Sequence, residues 1–248
     1  MTVASRGAAN AHAVQSGRAE SRTLAEILAI DHGELLDHVL PAAPEALRAA
    51  VREAQPLGIL ARMQAIGVAL HAQLGAEACT ALTEHVSDTV RGWGWFALTA
   101  APSAQAPADL IGLVLPAAHD PHFGVREWAW MTVRVPLAAD LAASIPALAA
   151  LTDHASERVR RFACETLRPR GVWAKHIPAL KADPQLGEAI LEPLRADPSR
   201  YVQDSVANWI NDAAKTRPDW ATALGERWTA ESVETSTARI IRRGLRSL

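Results

Sequence analysis

The feature that most constrains this chain is an internal repeat. Three segments align on a valine, and they begin at Asp120, Asp153 and Asp197. The aligned valines are Val125, Val159 and Val202, which lie 34 and 43 residues apart. A fainter fourth copy begins at Asp88. Spacings of this size are typical of two-helix units that stack on their neighbours, so the repeat predicts an array of helix pairs.

Composition favours helices throughout the array. Alanine and leucine dominate, aromatic residues make up only 5% of the chain, and we identify no convincing strand. Aspartate begins each copy, and proline follows it at Pro121 and Pro198. Aspartate caps exposed backbone N–H groups and proline suits the first turn of a helix, so a helix is predicted to start there. We therefore predict an all-α, HEAT-like helical-repeat solenoid, an α-α superhelix with a concave binding face.

Each predicted helix has a packed face and a polar face. Side chains three, four and seven positions after the valine gather on the valine's side, whereas those two, six and nine positions after it fall on the far side. The far-side residues are Glu127, Met131 and Arg134; Arg161, Glu165 and Arg168; and Asp204, Asn208 and Asn211. Because equivalent positions line up across stacked repeats, we predict that they form one continuous binding surface, here called the polar seam.

Charge and composition exclude several classes of protein. The net charge of −2 does not indicate a nucleic-acid binder, but residues 157–181 carry seven basic side chains against two acidic ones. Cys79 and Cys164 lack the paired spacing of a zinc site, and the nine histidines complete no ligand set, so we predict no metal and structural histidines. No window approaches the ~20 apolar residues of a membrane span. We predict a cytoplasmic protein with a disordered tail, residues 1–20, and a single repeat domain, residues 21–248.

Three blocks of sequence carry a resemblance to a known family. The blocks are Val125–Ala129, Glu157–Trp173 and Asp197–Asp219. They resemble the bacterial DNA alkylation repair glycosylases of the AlkC and AlkD type, which are HEAT-like solenoids, and they resemble AlkC more than AlkD. The resemblance implies hydrolysis of the N-glycosidic bond of a cationic alkylated purine, such as 3-methyladenine, in duplex DNA during base excision repair. It implies no metal and no other cofactor.

The resemblance also implies which residues act in catalysis. Two carboxylates of the family map to Glu127 and Glu165, which are the predicted catalytic residues. A methylated purine is cationic and leaves readily, so the enzyme mainly needs negative charge beside the oxocarbenium sugar and a positioned water. Arg161 and Arg168 flank Glu165 on one helix face, where they would clamp phosphates or hold the acid ionised.

Further residues are implied to contact DNA. The predicted DNA-binding residues are Arg161, Arg168, Arg170, Trp130, Trp173, Asn208, Trp209, Asn211 and Lys215. Among them the tryptophans would contact the deoxyribose of a lesion that is not fully extruded. The expected partner is duplex DNA with alkylated bases, bound by a monomer. Met131, Gln203 and Asp204 stand where the family tends to carry positive charge, which weakens the predicted phosphate contacts.

The same residues leave alternatives open. Glu127 and Glu165 can each be a surface acid paired with an arginine, and the basic cluster at residues 158–181 can be a solvated face. Asn208 and Asn211 can be hydrogen-bonding residues between repeats. At the level of function, the main rival is a non-catalytic HEAT-like scaffold or damaged-DNA-binding protein. A glycosylase for bulky natural-product adducts is the third reading.

Overall fold

The computed structural model describes residues 10–100 and 106–248. Within these ranges the regular secondary structure is helical, and there is no strand. Residues 10–15 are helical, and the helices that follow are α1 (Leu24–Ala29), α2 (His32–Val39), α3 (Glu45–Ala54), α4 (Ile59–Leu82), α5 (Asp88–Thr99), α6 (Pro107–His119), α7 (Phe123–Ala139), α8 (Leu141–Ala149), α9 (Glu157–Glu165), α10 (Pro178–Ala182), α11 (Glu188–Leu194), α12 (Arg200–Ala214), α13 (Pro218–Glu231) and α14 (Thr235–Gly244). A 3₁₀ turn, Pro184–Gly187, precedes α11. The predicted all-α class is confirmed.

The chain divides into two compact units where a single repeat domain was predicted. Unit 1 comprises Met1–Ala104 and Asp120–Thr132, and unit 2 comprises Gln105–His119 and Val133–Leu248. Part of the predicted tail is packed, because Val14 is buried and the side chain of Gln15 exchanges hydrogen bonds with the backbone of Asp31. Residues 1–9 of that predicted tail lie outside the described residues.

In unit 1 the longest helix, α4, packs closely along α5. A Cβ at Gly67 would lie 2.6 Å from the backbone carbonyl carbon of Phe96, so glycine permits this approach. Gly75, with φ of 77°, kinks the same helix. By length and composition α4 could cross a membrane, which corrects the prediction that no window approaches such a span. Core helices of soluble proteins pass the same test, so this helix is weak evidence for a membrane.

Helix α12 lies at the centre of unit 2, where it packs against α9, α13 and α14. Its valines, its tryptophan and most of its alanines are buried, and so are several of its polar residues. Buried polar groups need hydrogen-bond partners inside the protein, because an unpaired polar group costs free energy once water is excluded. Among the partners of the polar residues on α12 are Glu165 and Arg168, which form the site described below.

The four copies of the repeat share one loop geometry. In each copy one side chain, five positions before the valine, accepts a hydrogen bond from a backbone N–H. That N–H belongs to the residue three positions before the valine, and the distances are 2.7–3.0 Å. The accepting side chains are His85, Asp120, His154 and Asp197, and the valine of the fainter copy is Val90. The repeat is therefore confirmed, with His154 in place of Asp153 as the equivalent residue. The prediction of structural histidines is confirmed for His85 and His154.

A second contact recurs in the same loops. The residue after the valine donates to the carbonyl oxygen five positions before the valine, at 2.8–2.9 Å. The donors are Arg91, Arg126, Arg160 and Gln203. Arg91 also binds the carboxylate of Asp120, and Arg160 that of Asp197, each the aspartate of the next copy. These arginines join consecutive loops, so their charges are neutralised within the fold.

The loop geometry corrects the predicted helix starts. Helix α7 begins at Phe123 and α12 at Arg200, so Pro121 and Pro198 lie before the helices and not in their first turns. The aspartates that precede these prolines bind a loop N–H two residues on. The capping of α12 comes instead from Ser199, whose hydroxyl accepts from a backbone N–H of the first turn.

Much of the predicted polar seam is buried, which corrects the expectation of an exposed surface. Its buried members are Met131, Arg134, Glu165, Arg168 and Asn211. The remaining four members are half-buried. The reason is that other elements of the same unit cover the far side of these helices. Asn211, for example, is enclosed by the end of α14, where its side chain donates to the carbonyl oxygen of Gly244.

Candidate active site and nucleic-acid interface

A buried carboxylate, Glu165, lies at the last residue of α9 and forms the centre of the candidate site. Its Oε1 accepts from Nη1 of Arg168 at 2.6 Å, and its Oε2 accepts from the hydroxyl of Ser205 at 2.6 Å. Nη2 of Arg161 lies 3.7 Å from the same Oε2. Arg161 lies on α9 at position i−4, whereas Arg168, at i+3, lies in the loop after α9 ends, which corrects the prediction that both flank Glu165 on one helix face. The short spacing along the chain still brings all three charges together.

These contacts decide the charge of Glu165. Burial alone would raise the pKa of this carboxyl group, but the charges of Arg161 and Arg168 and the hydrogen bond from Ser205 outweigh burial, and the net pKa is lowered. Glu165 is therefore a carboxylate at neutral pH, inside a region of low dielectric constant. Two roles were considered for Arg161 and Arg168, which are clamping phosphates and holding Glu165 ionised. Their positions support the second role.

A second carboxylate, Asp212, joins this cluster from α12. Nε and Nη2 of Arg168 lie 3.0 and 2.9 Å from its Oδ2, so one guanidinium group bridges Asp212 and Glu165. The pKa of Asp212 is raised by burial, against the opposing charge of Arg168. Its Oδ1 makes no hydrogen bond with the described part of the chain. Asp212 lies within the block Asp197–Asp219 that resembles the AlkC family, but no role was predicted for it.

Behind the cluster, the buried guanidinium of Arg134 organises the loop that follows α9. It donates to the carbonyl oxygens of Thr166 and Arg168, both at 2.7 Å, and to that of Lys175 at 3.2 Å. Burial, with the charge of Arg168, lowers the pKa of Arg134 to about 10. At neutral pH it remains charged, so the loop is held by ionic hydrogen bonds.

That loop presents Trp173 to solvent. Trp173 is 47% exposed, and its φ of 58° is the only positive value at a non-glycine residue among those the structure describes. The left-handed region is unfavourable for a bulky side chain, so the surrounding contacts must hold the loop in this conformation. An exposed indole on a constrained loop is available to a ligand, as the prediction for Trp173 requires.

Several basic side chains lie near Asp212. The pKa of His176 is lowered by desolvation and by the charges of Lys181 and Arg170, which shows that positive groups converge here. Lys215 acts on the carboxyl group of Asp212 in the same way. Arg170 is half-buried, and its Nε donates to the backbone carbonyl oxygen of Asp212 at 3.0 Å. Of the predicted DNA-binding residues, Lys215 is exposed and Arg170 partly so.

The other predicted catalytic residue, Glu127, lies in unit 1. It is half-buried, and its Oε2 accepts from Nε1 of Trp130 at 2.7 Å. Trp130 is only 1% exposed, which corrects the prediction that its ring contacts DNA. In unit 2 the same pairing of an indole with a carboxylate recurs between Trp220 and Glu188 and between Trp228 and Glu192.

Two further predicted DNA contacts are corrected. Trp209 is completely buried and packs against Trp220 with ring centroids 5.8 Å apart, so it is a core residue. Asn211 is buried and donates to Gly244 and to the hydroxyl of Ser247, which is the structural reading considered for it. Asn208 is half-buried and accepts from Nη2 of Arg246.

Other reactive groups supply no alternative centre within the described residues. No group of three or more His, Cys, Asp or Glu side chains there could hold a metal ion. Cys164 lies next to Glu165 in sequence, but burial raises the pKa of its thiol to about 12, so it is not a thiolate at neutral pH.

The fold of the chain is similar to that of a protein of known activity. The chain is similar to Pseudomonas fluorescens alkylpurine DNA glycosylase AlkC, in a structure bound to DNA containing an abasic site analog. The TM-score is 0.65 and the sequence identity 25%, over 92% of this chain and 65% of the AlkC chain. The resemblance to AlkC is thereby confirmed, and the chain has the all-helical AlkC repeat fold.

A sequence relative covers less of the chain. The uncharacterized protein YhaZ of Bacillus subtilis (strain 168) is 46% identical over 96 residues, which are 39% of this chain and 27% of YhaZ. The chain thus spans about a quarter of YhaZ and about two thirds of AlkC. No family model matches the chain.

Proposed function

We propose that this chain is a DNA glycosylase that hydrolyses the N-glycosidic bond of cationic alkylated purines, of the 3-methyladenine class, in duplex DNA. The observation that carries the proposal is the buried, ionised carboxylate of Glu165, held by Arg161 and Arg168 within a fold similar to AlkC. The likeness to AlkC supports the DNA glycosylase class, whereas the substrate and the roles of individual residues are our proposal.

The chemistry needs little beyond charge and a water molecule. As the bond between C1′ and the purine nitrogen breaks, its electron pair passes to the base and neutralises the alkylated ring, while positive charge develops on the sugar. A carboxylate in a region of low dielectric constant stabilises that charge more strongly than it would in water. Water then adds to C1′ and gives up a proton. No metal is needed for these steps.

Within this scheme Glu165 and Asp212 take different roles. Glu165 has a lowered pKa and both of its oxygens accept hydrogen bonds, so it acts as fixed negative charge. Asp212 has a raised pKa and an oxygen without a hydrogen-bond partner in the described chain, so it is the better acceptor for the proton of the attacking water. Pairs of acids whose environments separate their pKa values divide roles in this way in other enzymes.

Contacts to DNA are proposed for the side chains that remain accessible. Trp173 would pack against the deoxyribose of the damaged nucleotide, because it is exposed on a constrained loop that follows α9. Lys181 and Lys215 lie among the basic groups around Asp212 and would contact phosphates. Glu127 is proposed as a further carboxylate, with its hydrogen bond from Trp130 fixing the side chain.

The test measures release of 3-methyladenine from methylated duplex DNA, without added metal or nucleotide. We expect release by the wild-type protein, and loss of most of it in E165Q and in D212N with retained DNA binding. E127Q is tested separately. E226Q is the matched control, because Glu226 is exposed and makes no hydrogen bond or ion pair with the described chain. Thermal unfolding of each variant reports whether it folds.

A second candidate is a damaged-DNA-binding protein without turnover. It is favoured by one observation, which is that both carboxylate oxygens of Glu165 are engaged within the protein. In that case the wild-type protein would bind methylated DNA but release no base, and E165Q would change only stability. Unchanged base release in E127Q, E165Q and D212N would overturn the catalytic roles proposed here.

A further inference from the structure

Nearly all the arginines of unit 2 are used within the fold. The described residues of unit 2 contain fourteen arginines, and twelve of them form hydrogen bonds or ion pairs with other groups of the chain. The other two, Arg200 and Arg242, make no hydrogen bond or ion pair with any described residue. Both side chains are exposed. A chain that pairs its arginines so consistently leaves these two for a ligand outside the chain.

Both unpaired arginines line one groove. Arg200 is the first residue of α12, and Arg242 lies on α14 together with Arg239. The lining also includes Gln203, the hydroxyl side chains of the first turn of α14, and the carboxylate of Glu234. We call this surface the C-terminal groove. No large apolar side chain appears among its lining residues, so it lacks the hydrophobic centre typical of protein–protein interfaces.

The acidic residue nearest to this surface on α12 is already neutralised. Oδ1 of Asp204 lies 2.6 Å from Nη2 of Arg239 and 3.1 Å from Nε of Arg243. Nη1 of Arg239 also donates to the amide oxygen of Gln203 at 3.2 Å. Gln203 and Asp204 stand on α12 where a basic residue was expected. The positive charge beside them comes instead from Arg239 and Arg243 of α14. Four arginines, Arg200, Arg239, Arg242 and Arg243, stand against the two carboxylates of Asp204 and Glu234, so two positive charges remain in excess.

We propose that the C-terminal groove binds the sugar-phosphate backbone of duplex DNA, separately from the base that is excised. A planar guanidinium group matches a phosphate with two parallel hydrogen bonds, and two of them on different helices would contact two phosphates. The identity of the polyanion as DNA rests on the proposed function. The groove itself rests on the unpaired arginines and on the polar lining.

The experiment compares binding of an undamaged duplex by the wild-type protein, R200Q/R242Q and R18Q/R22Q over a series of KCl concentrations. Arg18 and Arg22 are exposed residues of unit 1, so the control removes the same charge from another surface. Each phosphate contact contributes about 0.9 to the slope of log affinity against log salt. We expect R200Q/R242Q to lower that slope by about two, whereas R18Q/R22Q leaves it unchanged.

Two other outcomes decide against the groove, and a third supports the groove while contradicting the proposed glycosylase activity. Equal loss of slope in both double variants would assign the effect to total charge. An unchanged slope in R200Q/R242Q would mean that the groove does not contact DNA, and would leave an acidic protein as its ligand. If the wild-type protein shows the groove-dependent slope but releases no base, the groove stands and the proposed glycosylase activity fails.

Discussion

Arg168 is the residue on which the candidate site depends most. Its guanidinium joins Glu165 to Asp212, yet the two acids differ, because the pKa of Glu165 is lowered while that of Asp212 is raised. Glu165 has further partners in Arg161 and Ser205, whereas Asp212 has Arg168 alone as a side-chain donor. Removing Arg168 would leave two buried carboxylates without their shared donor, which is strongly destabilising.

A second buried residue, His32 in α2, makes stability depend on pH. Burial, with the charge of Arg62, lowers the pKa of His32 from 6.5 to about 3, and Trp93 donates to its Nδ1. The folded pKa lies below the unfolded value, so the stability from neutral His32 is fully present above pH 6.5 and is lost as pH falls toward 3. The expected loss at pH 4 is about 3 kcal/mol.

The measurement is urea unfolding at pH 7 and pH 4. H32Q should show a loss of stability between the two pH values that is smaller than in the wild-type protein by that amount. H38Q is the matched control, because His38 lies on the same helix with a half-exposed side chain. An equal pH dependence in H32Q and the wild-type protein would contradict the assignment to His32.

Among the elements, helices α4 and α5 are held at a distance that one glycine permits. A Cβ at Gly67 would meet the backbone of Phe96, which cannot move without separating the helices. We expect G67A to destabilise the protein by about 2 kcal/mol, as measured by urea unfolding, because overpacking outweighs the gain in helix propensity.

The matched control for this substitution is G112A. Gly112 lies within α6, is exposed, and has nothing within 4 Å of the added Cβ. We expect G112A to stabilise the protein by about 0.5–1 kcal/mol. If both substitutions stabilise the protein alike, the close approach of α4 and α5 is wrong.

Helix positions and repeat copies could be predicted because both depend on local sequence. The period of the apolar residues and the recurring valine correctly predicted helices around Val125, Val159 and Val202. The exposure of the far face could not be predicted in this way. Whether Met131 or Arg134 meets solvent depends on which other element packs over it, and that contact is distant in sequence.

The same distinction explains the site. Each of the two arginines lies within four residues of Glu165, so short spacing along the chain brought them together. Asp212 lies on α12, 44 residues along the chain from Arg168 in the loop after α9, and local spacing cannot indicate such a contact. The sequence did contain one signal for Asp212. It follows Ser205 by seven residues and therefore lies on the same packed face of the helix. A charged side chain on a packed face requires a buried partner.

For the whole molecule, net charge is a poor guide to DNA binding because most positive charges are paired. The cations of unit 2 without a side-chain hydrogen bond or ion pair in the described chain are Arg200, Arg242, Lys175, Lys181 and Lys215. If all five contact phosphates, the slope of log affinity against log salt is about −4.5. Titration of a duplex at several KCl concentrations measures it. A slope steeper than about −8 would show that cations beyond these five, in unit 1 or released from internal ion pairs, also contact phosphates.

The repeated loop also bears on how such a chain changes length. Each copy supplies both partners of its own loop hydrogen bonds, and Arg91 and Arg160 reach the aspartates of the copies that follow. The arginines that reach the next loop belong to the copies of His85 and His154, and their carboxylates belong to the copies that follow, those of Asp120 and Asp197. A duplicated pair of consecutive copies would therefore bring both the arginine and its carboxylate. Gene duplication can thus lengthen or shorten the array by pairs of copies without a compensating mutation in the loops.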